Sequence, residues 1–202
     1  MAAEHGVMLQ MEKPVKIILV RHGEPDLPFW RNVKASEFQQ WIKFYNSAGI
    51  KKENLPPKEV CEVVSDCSTV VCSDLPRSIE SAKALGVTTV NYIDPIFREM
   101  GLPYVDWNFP KLSPTIWATL FRLLWFAGFS RNSESLKSGK LRATGAAEKL
   151  KDFAHEHGSV TFVGHGMINR FLANELLSSG WRGPLNPGKR YWEFGVYEYI
   201  NA

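Results

Sequence analysis

Two histidines of this chain each follow an apolar run and each precede a glycine. The pairs are His22-Gly23 and His165-Gly166. A neutral imidazole can act as a nucleophile, and a glycine lets the backbone approach a ligand closely because it has no Cβ. Gly166 would also open a helix, whose N-terminal N–H groups favour an anion. A single histidine after a strand is more often structural, but two such pairs, with Arg21 before the first, favour a binding or catalytic pocket.

Two arginines add a specific chemistry to this pocket. Arg21 directly precedes His22, and Arg77 follows a third apolar run, four residues after Ser73. Proline at position 76 suits the first turn of a helix, so Arg77 would lie in that turn. A guanidinium presents its donors as a planar fork that matches phosphate oxygens. Two such forks beside two imidazoles predict a site for a phosphoryl group.

The elements that must position these residues alternate along the chain. Short β-branched runs predict strands, and apolar residues at helical spacing predict helices. The resulting order predicts an α/β fold with a mostly parallel sheet, in which ligands bind outside the carboxyl ends of the strands. The predicted strands are residues 16–20, 68–72, 88–93, 160–163 and 191–200, and the predicted helices are residues 36–48 (with Ser36 as N-cap), 75–85, 115–129, 133–157 and 167–177.

Length and composition exclude several classes of protein. The 202 residues suit a single domain, 1–202, with a cap or insertion at about 95–132. A net charge of +3 is too small to predict nucleic-acid binding. Three cysteines without a C-x-x-C motif favour neither a disulfide framework nor a zinc site. The first residues lack the form of a signal peptide, so we expect a cytoplasmic protein, whose true start could be Met1, Met8 or Met11.

These motifs, in this order, resemble those of the histidine phosphatase superfamily, in its phosphoglycerate mutase-like branch. The motifs that carry the resemblance are Arg21-His22-Gly23-Glu24, Ser73 with Arg77, and Gly164-His165-Gly166. The resemblance spans about residues 16–170. It implies a three-layer α/β/α sandwich, a covalent phosphohistidine intermediate, and no metal or other cofactor.

The resemblance also implies roles for individual residues. His22 would be the nucleophile, while Arg21, Arg77 and His165 would hold the phosphoryl oxygens and stabilise the charge that spreads over them in the transition state. Positive neighbours would lower the pKa of His22 and keep it unprotonated. The remaining phosphate-binding residues would be Gly23, Gly166 and Ser73.

A leaving oxygen needs a proton, and the family takes it from an acid that follows the second arginine. The segment Phe97–Gly101 matches that pattern, so Glu99 is the expected general acid, which would then act as a base on water. Asp94 and Asp106 are nearby rivals. Glu134 with Arg142, and separately Glu24, are expected to contact residues of the site and not the ligand itself.

Two departures from the mutase pattern favour hydrolysis. Pro28 stands where mutases usually carry an asparagine, and no arginine pair for a phosphoglycerate carboxylate lies between Glu99 and His165. We therefore expect a phosphatase acting on a phosphorylated small molecule. The alternatives are a phosphoglycerate mutase of the 2,3-bisphosphoglycerate type, a protein phosphohistidine phosphatase, and a non-catalytic module that binds a phosphorylated ligand.

The apolar residues 115–129 allow several interpretations. The run is shorter than the ~20 residues needed to span a bilayer, and Arg122 interrupts it, so no transmembrane segment is expected. It could form a cap helix packed on the core, an apolar wall of the substrate pocket, or a surface for a homodimer or a peripheral apolar contact.

Overall fold

A computed structural model describes residues 14–200 of the protein. The two alternative starts considered above, Met8 and Met11, lie outside the described residues. The helices and strands follow one another in the order β1 Val15–Arg21, β2 Val33–Lys34, α1 Ala35–Ser47, α2 Lys58–Ser65, β3 Thr69–Cys72, α3 Pro76–Ala84, β4 Tyr92–Ile93, a 3₁₀ turn Pro95–Phe97, β5 Lys111–Leu112, α4 Pro114–Phe126, α5 Leu136–His157, β6 Ser159–Gly164, α6 Gly166–Ser178 and β7 Phe194–Tyr199.

Five of the strands form one twisted sheet in the order β4-β3-β6-β1-β7. The pairs β3–β4, β3–β6 and β1–β6 are parallel, and only the β1–β7 pair of this sheet is antiparallel. Strands β2 and β5 form a separate two-stranded ribbon. The predicted α/β fold with a mostly parallel sheet is confirmed.

The sheet is covered on both faces, because its strands are apolar on both sides. In β1, Ile17 and Leu19 pack into the core beneath α5 and α6, whereas Ile18 and Val20 pack into the core beneath α2 and α3. This alternation follows from the two-residue period of a strand. It produces the three-layer α/β/α sandwich.

The register of the central strands decides where the predicted site residues meet. Arg21 at the end of β1 pairs with Gly164 at the end of β6, and Cys72 at the end of β3 pairs with Val163. All three strands run in the same direction, so their carboxyl ends lie at one edge of the sheet. The residues that follow them, among them His22 and His165, must therefore converge there.

Several local predictions were wrong. The helix α2 was not predicted, although Val60 and Val64 have the i, i+4 spacing of a buried helical face. The predicted strand 88–93 is reduced to β4, and the predicted strand 191–200 begins only at Phe194. The predicted N-cap Ser36 lies inside α1: Lys34 occupies the cap position, and its backbone N–H donates to the Glu37 carboxylate at 2.8 Å.

The apolar run 115–129 forms α4, which packs inward as a cap helix. Trp117, Phe121 and Trp125 recur every four residues and are all buried. The Trp117 indole donates to the Val33 carbonyl at 2.8 Å, which fixes α4 against the β2–β5 ribbon. The opposite face of α4 is exposed, so a homodimer or peripheral contact through that face stays a prediction. Among residues 14–200, none of the helices combines the length and hydropathy needed to cross a membrane.

Candidate active site

His22 lies at the carboxyl end of β1 with its ring fixed by the backbone. Its side chain is 1% exposed, and its Nδ1 lies 2.7 Å from the Gly23 carbonyl oxygen. A carbonyl only accepts hydrogen bonds, so Nδ1 carries the proton and Nε2 keeps its lone pair. The ring thus presents the nitrogen that a nucleophile needs.

The same surroundings keep this imidazole neutral. Burial, which is the largest cause, and the positive charges of Arg77 and Arg21 together lower the pKa of His22 to about 3. The hydrogen bond to the Gly23 carbonyl raises the pKa, but by less than burial and the arginines lower it. His22 is therefore unprotonated at neutral pH, as the sequence predicted.

His165 faces His22 from the end of the neighbouring strand. The two ring centroids are 5.1 Å apart, at an angle of 60°. His165 is fully buried, and Ser73 Oγ lies 2.7 Å from its Nε2. Ser73 Oγ accepts from the backbone N–H of Leu75 at 3.3 Å, so we assign its hydroxyl proton to Nε2, which makes Nδ1 the N–H donor of the ring. Ser73, predicted as a phosphate ligand, therefore contacts His165 and orients it.

Arg77 brings a fully buried positive charge to this edge of the sheet. Its Nη1 donates to the Tyr45 carbonyl at 2.8 Å, and its guanidinium lies 4.4 Å from the centroid of the Tyr45 ring. Among the described residues, no carboxylate forms an ion pair with Arg77. Its Nε and Nη2 are buried without a hydrogen-bond partner.

Arg21 is held by the loop that precedes β7. Its Nη1 donates to the Lys189 carbonyl, and its guanidinium lies 4.8 Å from the centroid of the Tyr191 ring. The Arg21 carbonyl accepts from the backbone N–H of Trp192 at 3.1 Å. Trp192 has a φ of 65°, a backbone conformation that is rare for a bulky residue. The loop thereby places Tyr191 over both Arg21 and His22, whose ring is 5.8 Å away.

Sequence reasoning missed Tyr45 and Tyr191, the two aromatic walls of the site. Neither belongs to a motif, and both lie far in sequence from the arginines they cover. The cation–π contacts of the two rings stabilise the guanidinium groups in place. The one local signal was the i, i+4 spacing of Tyr45 with Trp41 on α1, whose rings stack at 5.2 Å.

The two predicted glycine ligands differ in their surroundings. Gly23 donates its N–H to Ser81 Oγ at 2.9 Å and accepts from His22, so its backbone supports the His22 ring and not a ligand. A Cβ at this position would lie 2.2 Å from the Trp192 ring, which explains the need for glycine. Gly166 begins α6 beneath the Arg21 guanidinium, where a Cβ would come within 3.4 Å of Cζ.

The Glu99 side chain reaches the residues that follow His165. Its carboxylate accepts from the backbone N–H groups of Met167 at 3.0 Å and Ile168 at 2.9 Å, in the first turn of α6. The rival carboxylates point elsewhere. Asp94 caps the 3₁₀ turn and pairs with a lysine, and Asp106 is exposed beside an arginine. Of the three carboxylates, Glu99 is the one that contacts the residues after His165, and its role as the acid stays a prediction.

The predicted supporting residues also have definite partners. Glu134 and Arg142 form a two-pronged ion pair, with N···O distances of 2.6 and 3.0 Å. Glu24 pairs with Lys51 at 2.5 Å, and its backbone N–H donates to Asn54 Oδ1 at 2.9 Å. Asn54 also accepts from the Trp192 indole at 2.6 Å. This second contact links the loop after His22 to the loop that holds Arg21.

Comparison with known proteins shows the family of the chain. A family model described as the histidine phosphatase superfamily, branch 1, matches residues 17–188. The chain belongs to the histidine phosphatase superfamily. It is therefore an enzyme of the histidine-nucleophile phosphatase or mutase class.

Solved structures of other proteins share the histidine phosphatase fold. A mycobacterial glucosyl-3-phosphoglycerate phosphatase is 19% identical, with a TM-score of 0.59 over 91% of this chain and 89% of that one. A phosphoglycerate mutase from Bacillus anthracis is 16% identical, with a TM-score of 0.57 over 95% and 93% of the two chains. No curated protein matches the sequence significantly.

The low pKa of His22 predicts a loss of stability in mild acid. The pKa is about 3 in the folded protein and 6.5 in an unperturbed histidine. Between these two pH values the histidine is protonated in the unfolded chain and neutral in the folded protein. The free energy of unfolding should fall by about 2 kcal/mol through His22 alone between about pH 7.5 and about pH 5. Urea denaturation at several pH values measures this fall.

A variant pair isolates the contribution of His22. His22→Asn removes the titrating group and should flatten the pH dependence by that amount, and His155→Asn, at an exposed histidine, serves as the control substitution. Equal slopes for His22→Asn and the wild type would contradict the neutral, buried imidazole.

Proposed function

We propose that this histidine phosphatase is a phosphomonoester hydrolase that acts through a covalent phosphohistidine at His22. Its substrate is a phosphorylated small molecule, and the acceptor of the phosphoryl group is water. We further propose a single domain in which residues 95–132 cover the site. The predicted cytoplasmic location and independence of metal remain part of this proposal.

One observation carries the proposal: buried donors without a protein acceptor surround the nucleophile. They are Arg21 Nε, Arg77 Nε, Arg77 Nη2 and His165 Nδ1. Leaving buried donors unsatisfied costs about 1–3 kcal/mol each, and more where the group is charged. A phosphoryl group supplies three acceptor oxygens with negative charge, so it would satisfy these donors together.

The first chemical step transfers the phosphoryl group to the enzyme. His22 Nε2 attacks phosphorus as the ester P–O bond breaks, and the Glu99 carboxyl gives its proton to the leaving oxygen. His22 keeps its Nδ1 proton on the Gly23 carbonyl, so the phosphorylated ring needs no further proton transfer. Arg21, Arg77 and His165 stabilise the charge on the transferred oxygens.

The second step returns the enzyme to its starting state. The Glu99 carboxylate removes a proton from a water molecule, which attacks phosphorus while the N–P bond to His22 breaks. Phosphate leaves, and Glu99 is again protonated. In the free enzyme the Glu99 side chain is held by the backbone N–H groups of Met167 and Ile168. The carboxyl must therefore turn from α6 when it donates its proton.

The contacts of the arginines between Glu99 and His165 favour hydrolysis over mutase chemistry. A mutase must hold a phosphoglycerate carboxylate, and these arginines have other partners. Arg122 and Arg142 bind backbone carbonyls, and Arg131 lies beside Asp106. The mycobacterial relative, itself a phosphatase, has been solved with inorganic phosphate and with VO3. This supports a phosphate site in the shared fold.

The nucleophile can be identified by trapping the intermediate. After mixing with a phosphorylated substrate and quenching in alkaline denaturant, peptide mapping should find phosphate on His22 and not on His165. His22→Ala should lose essentially all turnover, whereas His155→Ala, a substitution at an exposed histidine, should retain it. Inorganic phosphate should appear in amounts equal to the substrate consumed.

Two results would overturn this assignment. One is full turnover by His22→Ala. The other is rapid exchange between 2- and 3-phosphoglycerate without release of phosphate, which would make the enzyme a mutase.

The role of Glu99 predicts a dependence on the leaving group. Glu99→Gln should lower kcat/KM for alkyl phosphates by about 10²- to 10⁴-fold, because their leaving oxygen needs a proton. Aryl phosphates with acidic phenols should lose much less. Asp106→Asn serves as the matched control and should behave as the wild type. Equal losses of Glu99→Gln on both substrate classes would assign proton transfer to another group.

A further inference from the structure

The charged residue inside the apolar helix α4 has a definite set of partners. Arg122 Nη2 donates to the Met100 carbonyl at 2.6 Å, and Nη1 donates to the Gly101 carbonyl at 3.0 Å. Its guanidinium also lies 4.8 Å from the centroid of the Trp125 ring. Arg122 thus joins α4 by two hydrogen bonds to the segment that carries Glu99.

A second arginine holds the same segment from the other side. Arg142, on α5, donates through Nη1 to the carbonyls of Ile96 at 2.7 Å and Arg98 at 2.8 Å. Its Nη2 also lies 3.4 Å from the Glu99 carbonyl oxygen. Together the two arginines contact the carbonyls on both sides of Glu99.

Glu134 completes this arrangement between the two helices. It forms the ion pair with Arg142 and accepts from the Gly101 backbone N–H at 3.0 Å. The positive charges of Arg142 and Arg122, and the hydrogen bond from Gly101, lower the pKa of Glu134 against the opposing effect of its burial. We call Arg122, Glu134 and Arg142 the carbonyl clamp.

The clamp fixes the backbone from which the Glu99 carboxyl extends, both when it contacts α6 and when it turns to donate its proton. With the backbone held on both sides, the side chain of Glu99 extends towards the first turn of α6 and contacts Met167 and Ile168. That turn begins one residue after His165, so a shift of the segment would move the carboxylate relative to the phosphoryl site. Proton transfer requires hydrogen-bond distance, and a misplacement of about 1 Å can cost about 10²-fold in rate.

We propose that Arg122 is a positioning residue that aims Glu99 for proton transfer, acting with Arg142 through the backbone of residues 96–101. This inference rests on the proposed function of Glu99 as acid and base. It assigns a role in the reaction to a residue of α4.

The geometry explains why this position needs an arginine. One guanidinium reaches two consecutive carbonyls at once, whereas a lysine offers a single point of attachment. The aromatic face of Trp125 also accommodates a planar cation better than an ammonium group. Arg122→Lys should therefore retain only part of the effect.

The test compares kcat/KM across phosphomonoesters whose leaving groups differ in basicity. Arg122→Met should lower kcat/KM for alkyl phosphates at least about tenfold and change it little for activated aryl phosphates. Arg122→Lys should fall between Arg122→Met and the wild type. Arg131→Met, at an exposed arginine outside the clamp, should match the wild type on every substrate.

A double variant shows whether Arg122 acts through Glu99. If it does, Arg122→Met should add little to the loss already caused by Glu99→Gln, because both changes remove the same proton transfer. The proposal would be overturned if the loss of kcat/KM in the double variant equalled the product of the two single losses. It would also be overturned if Arg122→Met lost equally on alkyl and aryl substrates, or if it matched the wild type on both.

Two further results separate the possible failures. If Glu99→Gln itself shows no dependence on the leaving group, the proposed acid role fails, and the inference about Arg122 fails with it. If Glu99→Gln behaves as expected but Arg122→Met does not, only the clamp fails. Should Arg122→Met not fold, Arg122→Lys in the same cycle decides the question, with thermal unfolding as the measure of folded protein.

Discussion

The buried guanidinium of Arg77 is the constraint on which the rest of the site depends. Removing such a charge from water costs several kcal/mol, and in many proteins a carboxylate offsets the cost. Here, among the described residues, the offset comes from the Tyr45 carbonyl and ring, and two donor atoms stay unsatisfied. The interior therefore holds a positive charge that no carboxylate of residues 14–200 pairs with. The same charge contributes to the low pKa of His22.

The fold meets this constraint by placing strand ends side by side. Because β3, β6 and β1 are parallel neighbours, Ser73, His165 and His22 meet without long connections. Loops and helices from the rest of the chain then add the walls: α1 supplies Tyr45, and the loop before β7 supplies Tyr191. The sheet thus fixes the positions of His22, His165 and Ser73, and the surrounding elements supply the aromatic rings that cover Arg21 and Arg77.

The parts of this arrangement that depend on local sequence could be predicted. An apolar β-branched run followed by a polar tip specifies a strand end, so the convergence of His22, Arg77 and His165 follows from the sequence pattern. The contacts made through the backbone could not be predicted. The left-handed conformation of Trp192 and the carbonyls bound by Arg122 depend on tertiary packing, which no residue spacing encodes. The i, i+4 valines of α2 were a usable signal, but β-branched residues and a preceding proline pair obscured it.

A crystal structure with vanadate would test the central claim most directly, because vanadate imitates the phosphoryl group in transfer. The account predicts a vanadium atom bonded to His22 Nε2, with its oxygens accepting hydrogen bonds from Arg21 Nε, Arg77 and His165 Nδ1. It also predicts that His22 Nδ1 remains on the Gly23 carbonyl. Vanadate bonded to His165, or bound away from these donors, would contradict the account.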